Sequence, residues 1–332
     1  VNASDWFVIS DETTSTNIVA TEKLLTAWRQ NVDNQILMGR KFCPMVVPPK
    51  KWESLKVGGY YGVLSQHSQL LRLNTMASAY TQQYVKRLNQ ADISLTLQAL
   101  NAIQETAWRV NTKVLDVANH ILKNGGGRAG MPYLDSSELK PRLFTETPTE
   151  LELNKYKKQM TTFIRKEKKR QSLCLRLVAT LGVANEFKDY TEIYFPYNMD
   201  FRGRIYPLPS FNPQGDDITK GLIIFADNVP AITDEKQLEW LYVTGANLAG
   251  VDKVNYDDRI QWIKDNYGAI MASAEDPLGT TFWQGQDEPF QFLAFCFEMQ
   301  DLKTFKATHG TAIGWKCHIP IAFDGTCSGL QH

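Results

Sequence analysis

Cysteine is scarce in this 332-residue sequence and falls into no recognisable pattern. Cys43, Cys174, Cys296, Cys317 and Cys327 are an odd set with no CxxC pair. That argues against a zinc knuckle or a disulfide-stapled scaffold and suits a reducing compartment. Long apolar runs are missing too: no window approaches the roughly 18 uninterrupted apolar residues of a membrane span. The opening VNASDWFVISDETT has no basic stretch followed by an apolar one, so it does not read as a secretory signal, and no Arg-rich, acid-poor leader is visible. Charge of one sign is not in excess, since 36 Lys and Arg balance 36 Asp and Glu. A neutral total leaves a nucleic-acid partner open, because local patches set the binding field. There is no internal repeat and no low-complexity tract. NGGGRAG (124–130) lacks the GK[ST] ending of a phosphate-cradling loop and reads as a turn. CSGL (327–330) lacks the flanking pattern of a nucleophile elbow.

What is present is ordinary globular chain, 43% hydrophobic and 22% charged. Residues 15–32 space Ile18, Leu24, Leu25 and Trp28 as a helix opened by Ser15 or Thr16. CPMVVPPKKW (43–52) holds three prolines and reads as an extended connector. Residues 94–122 repeat apolar side chains from Leu97 to Ile121 at steps of three and four, which predicts one long helix. A third helical block covers about 148–187. Within it, Lys155–Arg176 carries nine basic residues against Glu167 alone. That face reads either as a solvated helix surface or as an electrostatic footprint for a phosphate backbone. From about residue 190, TEIYFPYN and KGLIIFAD are short and β-rich, and helical spacing returns over 235–250 and 288–302. The pattern is a mostly helical first part and a mixed α+β part after it.

Three stretches could carry chemistry. In FPYNMDFRGRIYP, Arg202 and Arg204 flank Gly203; in an extended segment both guanidiniums face one way, with Asp200 to orient one of them. The competing reading is a surface ion-pair cluster. In GANLAGVDKV, Asp252 and Lys253 follow a glycine turn, and a C-cap at Gly250 with a loop ion pair explains them equally. In IPIAFDGTCSGLQH, Asp324 stands at the end of an apolar run. It reads as a hard-metal ligand, or as the opening of an Asx-turn.

Taken in order, FPYNMDFRGRIYP…FNPQGDDITKG, GANLAGVDKV, DPLGTTFWQGQDEPFQFLAFCFE and AFDGTCSGLQH resemble the single-subunit, phage T7-type RNA polymerase family, which also occurs in mitochondria. CPMVVPPKKW and ALNAIQETAWRVNTKVLDVAN extend the resemblance upstream, so it covers roughly 40–332. It implies an α+β, mostly helical fold: the thumb and palm part of a right-hand polymerase, incomplete without a second segment. The implied regions are an N-terminal remnant (1–45), a helical thumb-side region (46–190) and a palm region with the first catalytic carboxylate motif (191–332). The implied reaction is DNA-directed nucleotidyl transfer from NTPs with two Mg²⁺ ions. Asp324 would bind both ions and Gly325 would offer its carbonyl. Lys253 and Asp252 would lie near the incoming nucleotide. Arg202, Arg204 and Lys220 would follow the template and hybrid, with Ser328 and Gln331 near the nascent strand.

The family also uses a second palm aspartate, in an HDSFG-type motif, and a fingers helix downstream, neither of which this sequence contains. The expectation is therefore a split enzyme of the N4 RNA polymerase II kind, or a fragment. Its partners would be a second polypeptide carrying the fingers and that aspartate, the DNA template, nascent RNA and NTPs. A single-strand DNA-binding protein or activator would stand in for the promoter-binding domain. No membrane partner is expected. The implied location is the cytoplasm of an infected bacterium, with the mitochondrial matrix as the alternative. A non-catalytic nucleic-acid-binding or assembly subunit is the second reading. A DNA polymerase is the third, disfavoured by the spelling of the arginine motif.

Overall fold

The computed structural model describes residues 7–12, 15–20, 42–66, 68–72, 78–136, 141 and 149–322. The chain divides into two compact units, Val1–Phe42 and Cys43–His332. In the first, strands β1 (Phe7–Glu12) and β2 (Ser15–Ala20) pair antiparallel, with Ile9 opposite Ile18 and Val8 opposite Val19. This corrects the helix expected to open at Ser15 or Thr16. Val8, Ile9, Ile18 and Val19 are β-branched, and their restricted χ1 favours a strand over the weak helical spacing.

In the second unit, the connector 43–52 has no regular element, as its prolines demand. It is nonetheless held: Met45 exchanges backbone hydrogen bonds with Tyr194 (2.8 and 2.7 Å). Trp52, 2% exposed, donates its indole N–H to the Tyr197 carbonyl at 2.9 Å. α1 (Ala79–Leu88) and α2 (Ser94–Gln104) follow, and Asn101 of α2 clasps the Trp52 backbone.

The single helix expected over 94–122 is two. α2 ends at Gln104, strand β3 (Trp108–Val110) intervenes, and α3 (Thr112–Lys123) restarts with Asn111 as its N-cap. Apolar steps of three and four run through the break, so periodicity could not reveal it. What decides it is tertiary. Trp108 pairs with Ile193 and with Phe225, on whose ring it stacks at 4.4 Å. Asn111 Oδ1 accepts the Val114 amide at 3.3 Å and starts the new helix.

α4 (Glu150–Phe187) is opened by a capping box between Thr149 and Glu152. Only its C-terminal end is buried, at Leu177, Leu181, Val183, Ala184 and Phe187. β4 (Tyr197–Met199) and β5 (Ile205–Pro207) form a hairpin. α5 (Asp217–Gly221) leads into β6 (Ile223–Phe225), the partner of β3. Then come α6 (Leu238–Leu248), α7 (Tyr256–Asp265), α8 (Tyr267–Glu275) and α9 (Pro289–His309). The described chain is thus mostly helical with small two-stranded sheets, as the α+β reading required.

α9 is the centre of this unit. From Phe290 to Leu302 it buries Phe290, Phe292, Leu293, Phe295, Cys296 and Met299, and packs against α3, α5, α6 and α8. A helix apolar on all sides belongs inside. Its N-terminus is capped from another element: Asp217 accepts the amides of Phe290 (2.8 Å) and Gln291 (3.0 Å). Burial pushes the Asp217 carboxyl up to about 6, against those amides. A carboxyl that ionises less readily in the fold than in the unfolded chain lowers stability as pH rises from about 4 to 6. Asp217→Asn keeps an oxygen acceptor and cannot ionise. Urea unfolding at pH 4.5 and 7.5 should therefore show the variant gaining on the wild type by about 1–3 kcal/mol over that interval. Equal pH responses of the two proteins would refute this.

Candidate nucleotide and nucleic-acid interface

The arginine motif sits at the tip of the β4–β5 hairpin, in the five-residue loop 200–204. Gly203 has φ +85°, the left-handed region that glycine enters without cost. The Asp200 carboxylate organises the turn. It accepts the amides of Arg202 (2.9 Å) and Arg204 (3.0 Å) and the Arg202 guanidinium at 2.9 and 3.1 Å. Partial burial works the other way, but the Arg204 and Arg202 hydrogen bonds hold the Asp200 carboxyl below its usual range. The two arginines are therefore not on one face of an extended segment. The chain turns at 201–203, so the alternation of an extended strand does not apply to them. Arg202 is the one that Asp200 orients. Arg204 is exposed, and its guanidinium makes no hydrogen bond or ion pair with a described residue.

Sequence reasoning missed the residue that braces this hairpin. Arg72 donates to Asn198 Oδ1 (2.7 Å) and to the Pro207 carbonyl (3.0 Å) and lies over the Tyr206 ring at 4.7 Å. Nothing in the local pattern around Arg72 signals this; its partners lie far along the chain.

Beside the hairpin is a cavity of about 600 Å³. Its wall includes Trp108, Gln214, Lys220, Thr244, Gln291 and Ala322, with Ile319 and Pro320 beside Ala322. Gln214 ties the rim to the hairpin by donating to the Ile205 carbonyl at 3.3 Å. Lys220 stands in the last turn of α5, whose N-cap is Asp216. The helix brings this exposed ammonium onto the same cavity as the segment that runs toward Asp324. Asp252 and Lys253 do not line it. They follow the C-cap of α6, where Gly250 has φ +86° and Val251 N–H bonds the Ala246 carbonyl at 2.9 Å. There they form a surface ion pair with each other, and that contact with Lys253 holds the Asp252 carboxyl below its usual range. Leu248, in the last turn of the same helix, does reach the cavity.

Asp324, Gly325, Ser328 and Gln331 lie outside the described residues. Among the described residues there is no group of three His, Cys, Asp or Glu fit to hold a metal ion. The cavity wall supplies one cation, Lys220, and no carboxylate.

The long helix α4 supplies positive charge. Arg170 is committed to Glu167 and to the Tyr133 carbonyl (2.8 Å), and Arg176 to Asp216 (3.1 Å). Lys155, Lys157, Lys158, Arg165, Lys168 and Lys169 are exposed and make no ion pair with a described residue. Uncommitted cations in a row are what a polyanion neutralises on binding.

Two family models match the sequence: DNA-directed RNA polymerase N-terminal over residues 11–105, and DNA-dependent RNA polymerase over residues 231–332. Among curated proteins, the DNA-directed RNA polymerase of Enterobacteria phage K11 is 41% identical over 290 residues, covering 87% of this chain and 30% of that relative. The DNA-directed RNA polymerase of Enterobacteria phage T3 is 40% identical over 292 residues (88% and 31%). T7 RNA polymerase of Escherichia phage T7 is 40% identical over 294 residues (88% and 32%). This chain thus spans just under a third of the length of these relatives. With both family models matched and relatives about 40% identical over nearly nine-tenths of its length, the chain belongs to the T7-type single-subunit RNA polymerase family.

Proposed function

We propose that this chain is part of a DNA-directed RNA polymerase, adding nucleotides from NTPs to RNA on a DNA template. The observation that carries the reading is the cavity where Lys220 meets Ile319–Ala322, two residues before Asp324. Asp324, with the Gly325 carbonyl, would hold Mg²⁺, whose chemistry is to activate the attacking hydroxyl and neutralise the leaving pyrophosphate. Lys220 adds fixed positive charge where phosphates carry negative charge. Arg204 is free to contact a phosphate or sugar at the hairpin tip, with Arg202 steered by Asp200. Lys253 and Asp252 stand on the loop that leaves the cavity wall and would meet the nucleotide from outside. Ser328 and Gln331 are assigned to the nascent strand on the family pattern alone. The region 46–190 acts on the thumb side and 191–332 as the palm.

The remaining two-thirds of the relatives' length, including the fingers and a second acid, would come from a companion polypeptide or a longer chain. DNA template, RNA and NTPs are the remaining partners, with an accessory single-strand binder or activator for promoter opening. The working place would be the cytoplasm of an infected bacterium, or else the mitochondrial matrix. No helix among the described residues is long and apolar enough to cross a membrane. The test is reconstitution: this chain with a polypeptide supplying the missing part, template DNA, NTPs and Mg²⁺. Template-directed RNA synthesis is expected, and none under any such pairing would refute the reading.

The free cations of α4 keep a second reading in view, a subunit that binds nucleic acid without chemistry. Both readings predict salt-dependent binding. Replacing Lys168 and Lys169 by Gln should lower the slope of log K against log salt by about 0.7–0.9 for each phosphate no longer neutralised. An unchanged slope in a fluorescence-anisotropy titration would remove α4 from the interface. Only incorporation of nucleotides separates the two readings.

A further inference from the structure

Glu298 is the one charged side chain that is buried among the described residues, at 6% exposure in the helix that buries the most residues. A carboxylate costs several kcal/mol to bury unless it is paired and hydrogen-bonded, so its partners reveal its use. Its Oε1 accepts the backbone amide of His318 at 2.7 Å and lies 3.4 Å from His318 Nδ1. On the other side of the ring, His318 Nε2 lies 3.2 Å from Asp227 Oδ1, and Arg109 of β3 approaches the same oxygen at 3.4 Å. The His318 carbonyl accepts the amide of Phe225, the last residue of β6, at 2.8 Å. Lys316, two residues earlier, donates to the Asp227 carbonyl at 2.7 Å and bridges Ala231. Burial, and then the Glu298 carboxylate beside it, push the Cys317 thiol up to about 12, so it stays neutral.

His318 is therefore gripped by its amide and its carbonyl, from α9 and from β6, while its ring lies between the Glu298 and Asp227 carboxylates with Nε2 buried and without a hydrogen bond. Immediately beyond the grip, Ile319, Pro320 and Ala322 line the cavity. Asp324 is six residues from His318, and a chain of that length reaches at most about 20 Å. We propose that Glu298 is a positioning residue: by holding the His318 backbone it fixes the wall that Ile319, Pro320 and Ala322 give the cavity. This rests on the polymerase reading for its catalytic consequence, but not for the grip itself. Where its hydrogen bonds go marks Glu298 as positioning rather than merely stabilising. A buried acid serving only the core could bond within α9 or to a neighbouring helix. This one gives its oxygen to the backbone amide of His318, on a segment beside the cavity.

Two readouts test it in the reconstituted enzyme. The first is hydrogen exchange followed by mass spectrometry. Glu298→Ala should speed exchange at least tenfold in peptides covering 316–322 and leave α6 and α8 unchanged. The second is steady-state nucleotide addition. Glu298→Ala should lower kcat by about 10- to 100-fold with KM for NTP moving less than about threefold. Glu298→Gln keeps an amide oxygen for the His318 N–H and should recover most of the loss in both measurements. If Glu298→Ala does not fold, His318→Ala, which retains the backbone amide, isolates the ring contacts; it should give a smaller kcat loss than 10-fold and intermediate exchange. Unchanged exchange in 316–322, or an exchange rise spread evenly over the unit, would overturn the proposal. So would a Gln variant no better than Ala. If the wild-type assembly adds no nucleotide, it is the polymerase reading that has failed, and the exchange result alone decides the grip.

Discussion

Asp324→Asn should reduce nucleotide incorporation by about 10³-fold or more, the equivalent of about 4 kcal/mol of lost transition-state stabilisation. The substitution preserves size and removes one negative charge. Mg²⁺ selects oxygen anions and is commonly held in polymerase sites by one or two carboxylates plus the substrate's phosphates. On the proposed reading, neutralising Asp324 would take away a large part of what holds the ions in place beside the triphosphate. Phosphoryl transfer depends on positioning and charge neutralisation more than on covalent chemistry by the protein, so little remains to compensate. The measurement is primer extension by the reconstituted enzyme, with template binding followed in parallel. Binding should stay within about threefold of the wild type, because the charges on α4 and Arg204 are untouched. Incorporation within about threefold of the wild type would remove Asp324 from the chemistry. Wild-type binding without incorporation would favour the non-catalytic reading.

The second large effect concerns the packing that supports the cavity. Gly245 of α6 faces the Phe295 ring of α9 so closely that an added Cβ would lie 2.3 Å from the ring. Phe295 is fully buried. Phe295→Ala should cost about 3–5 kcal/mol through reduced burial and a cavity the fold cannot fully close. Gly245→Ala gains about 1 kcal/mol of helix propensity but forces α6 off α9, a net cost of about 1–2 kcal/mol. Together they should cost less than the sum by about 1–3 kcal/mol, since the methyl enters space the ring has left. Urea unfolding of the four proteins closes the cycle. Strict additivity would mean that the two elements do not meet at this place. Thr244 and Leu248 of α6 line the cavity, as does Ala294 of α9. Gly245→Ala should therefore disturb nucleotide use as well as stability, although neither Gly245 nor Phe295 lines the cavity.

Much of the fold is legible from residue order alone. α4 announces itself by its spacing, and the Thr149–Glu152 box explains why it starts where it does. α6 ends as Gly250 predicts. The helix expected over 94–122 fails for an instructive reason. Helical spacing continues through Trp108 and Val110, yet the strand wins, because β6 and Ile193 offer backbone partners that a helix would leave unused. The helix expected from Ser15 fails likewise, to a strand partner a few residues away. The Arg-Gly-Arg triplet stands out in the sequence as a site, but its geometry does not. Alternation along a strand presumes an extended chain, and Asp200 closes that chain into a turn.

The sequence by itself determined the family, through motifs that are contiguous and so survive without any knowledge of contacts. It also marked Arg202, Arg204, Lys220 and Asp324 as the residues to watch. Only the tertiary structure decided that Lys220 shares a cavity with Ile319–Ala322, that Arg72 braces the hairpin, and that Glu298 grips His318. Each of those depends on segments distant in sequence being packed together in the second unit. Such pairings are set by which buried surfaces and buried hydrogen-bonding groups can be satisfied at once, and no local pattern of residues records that choice.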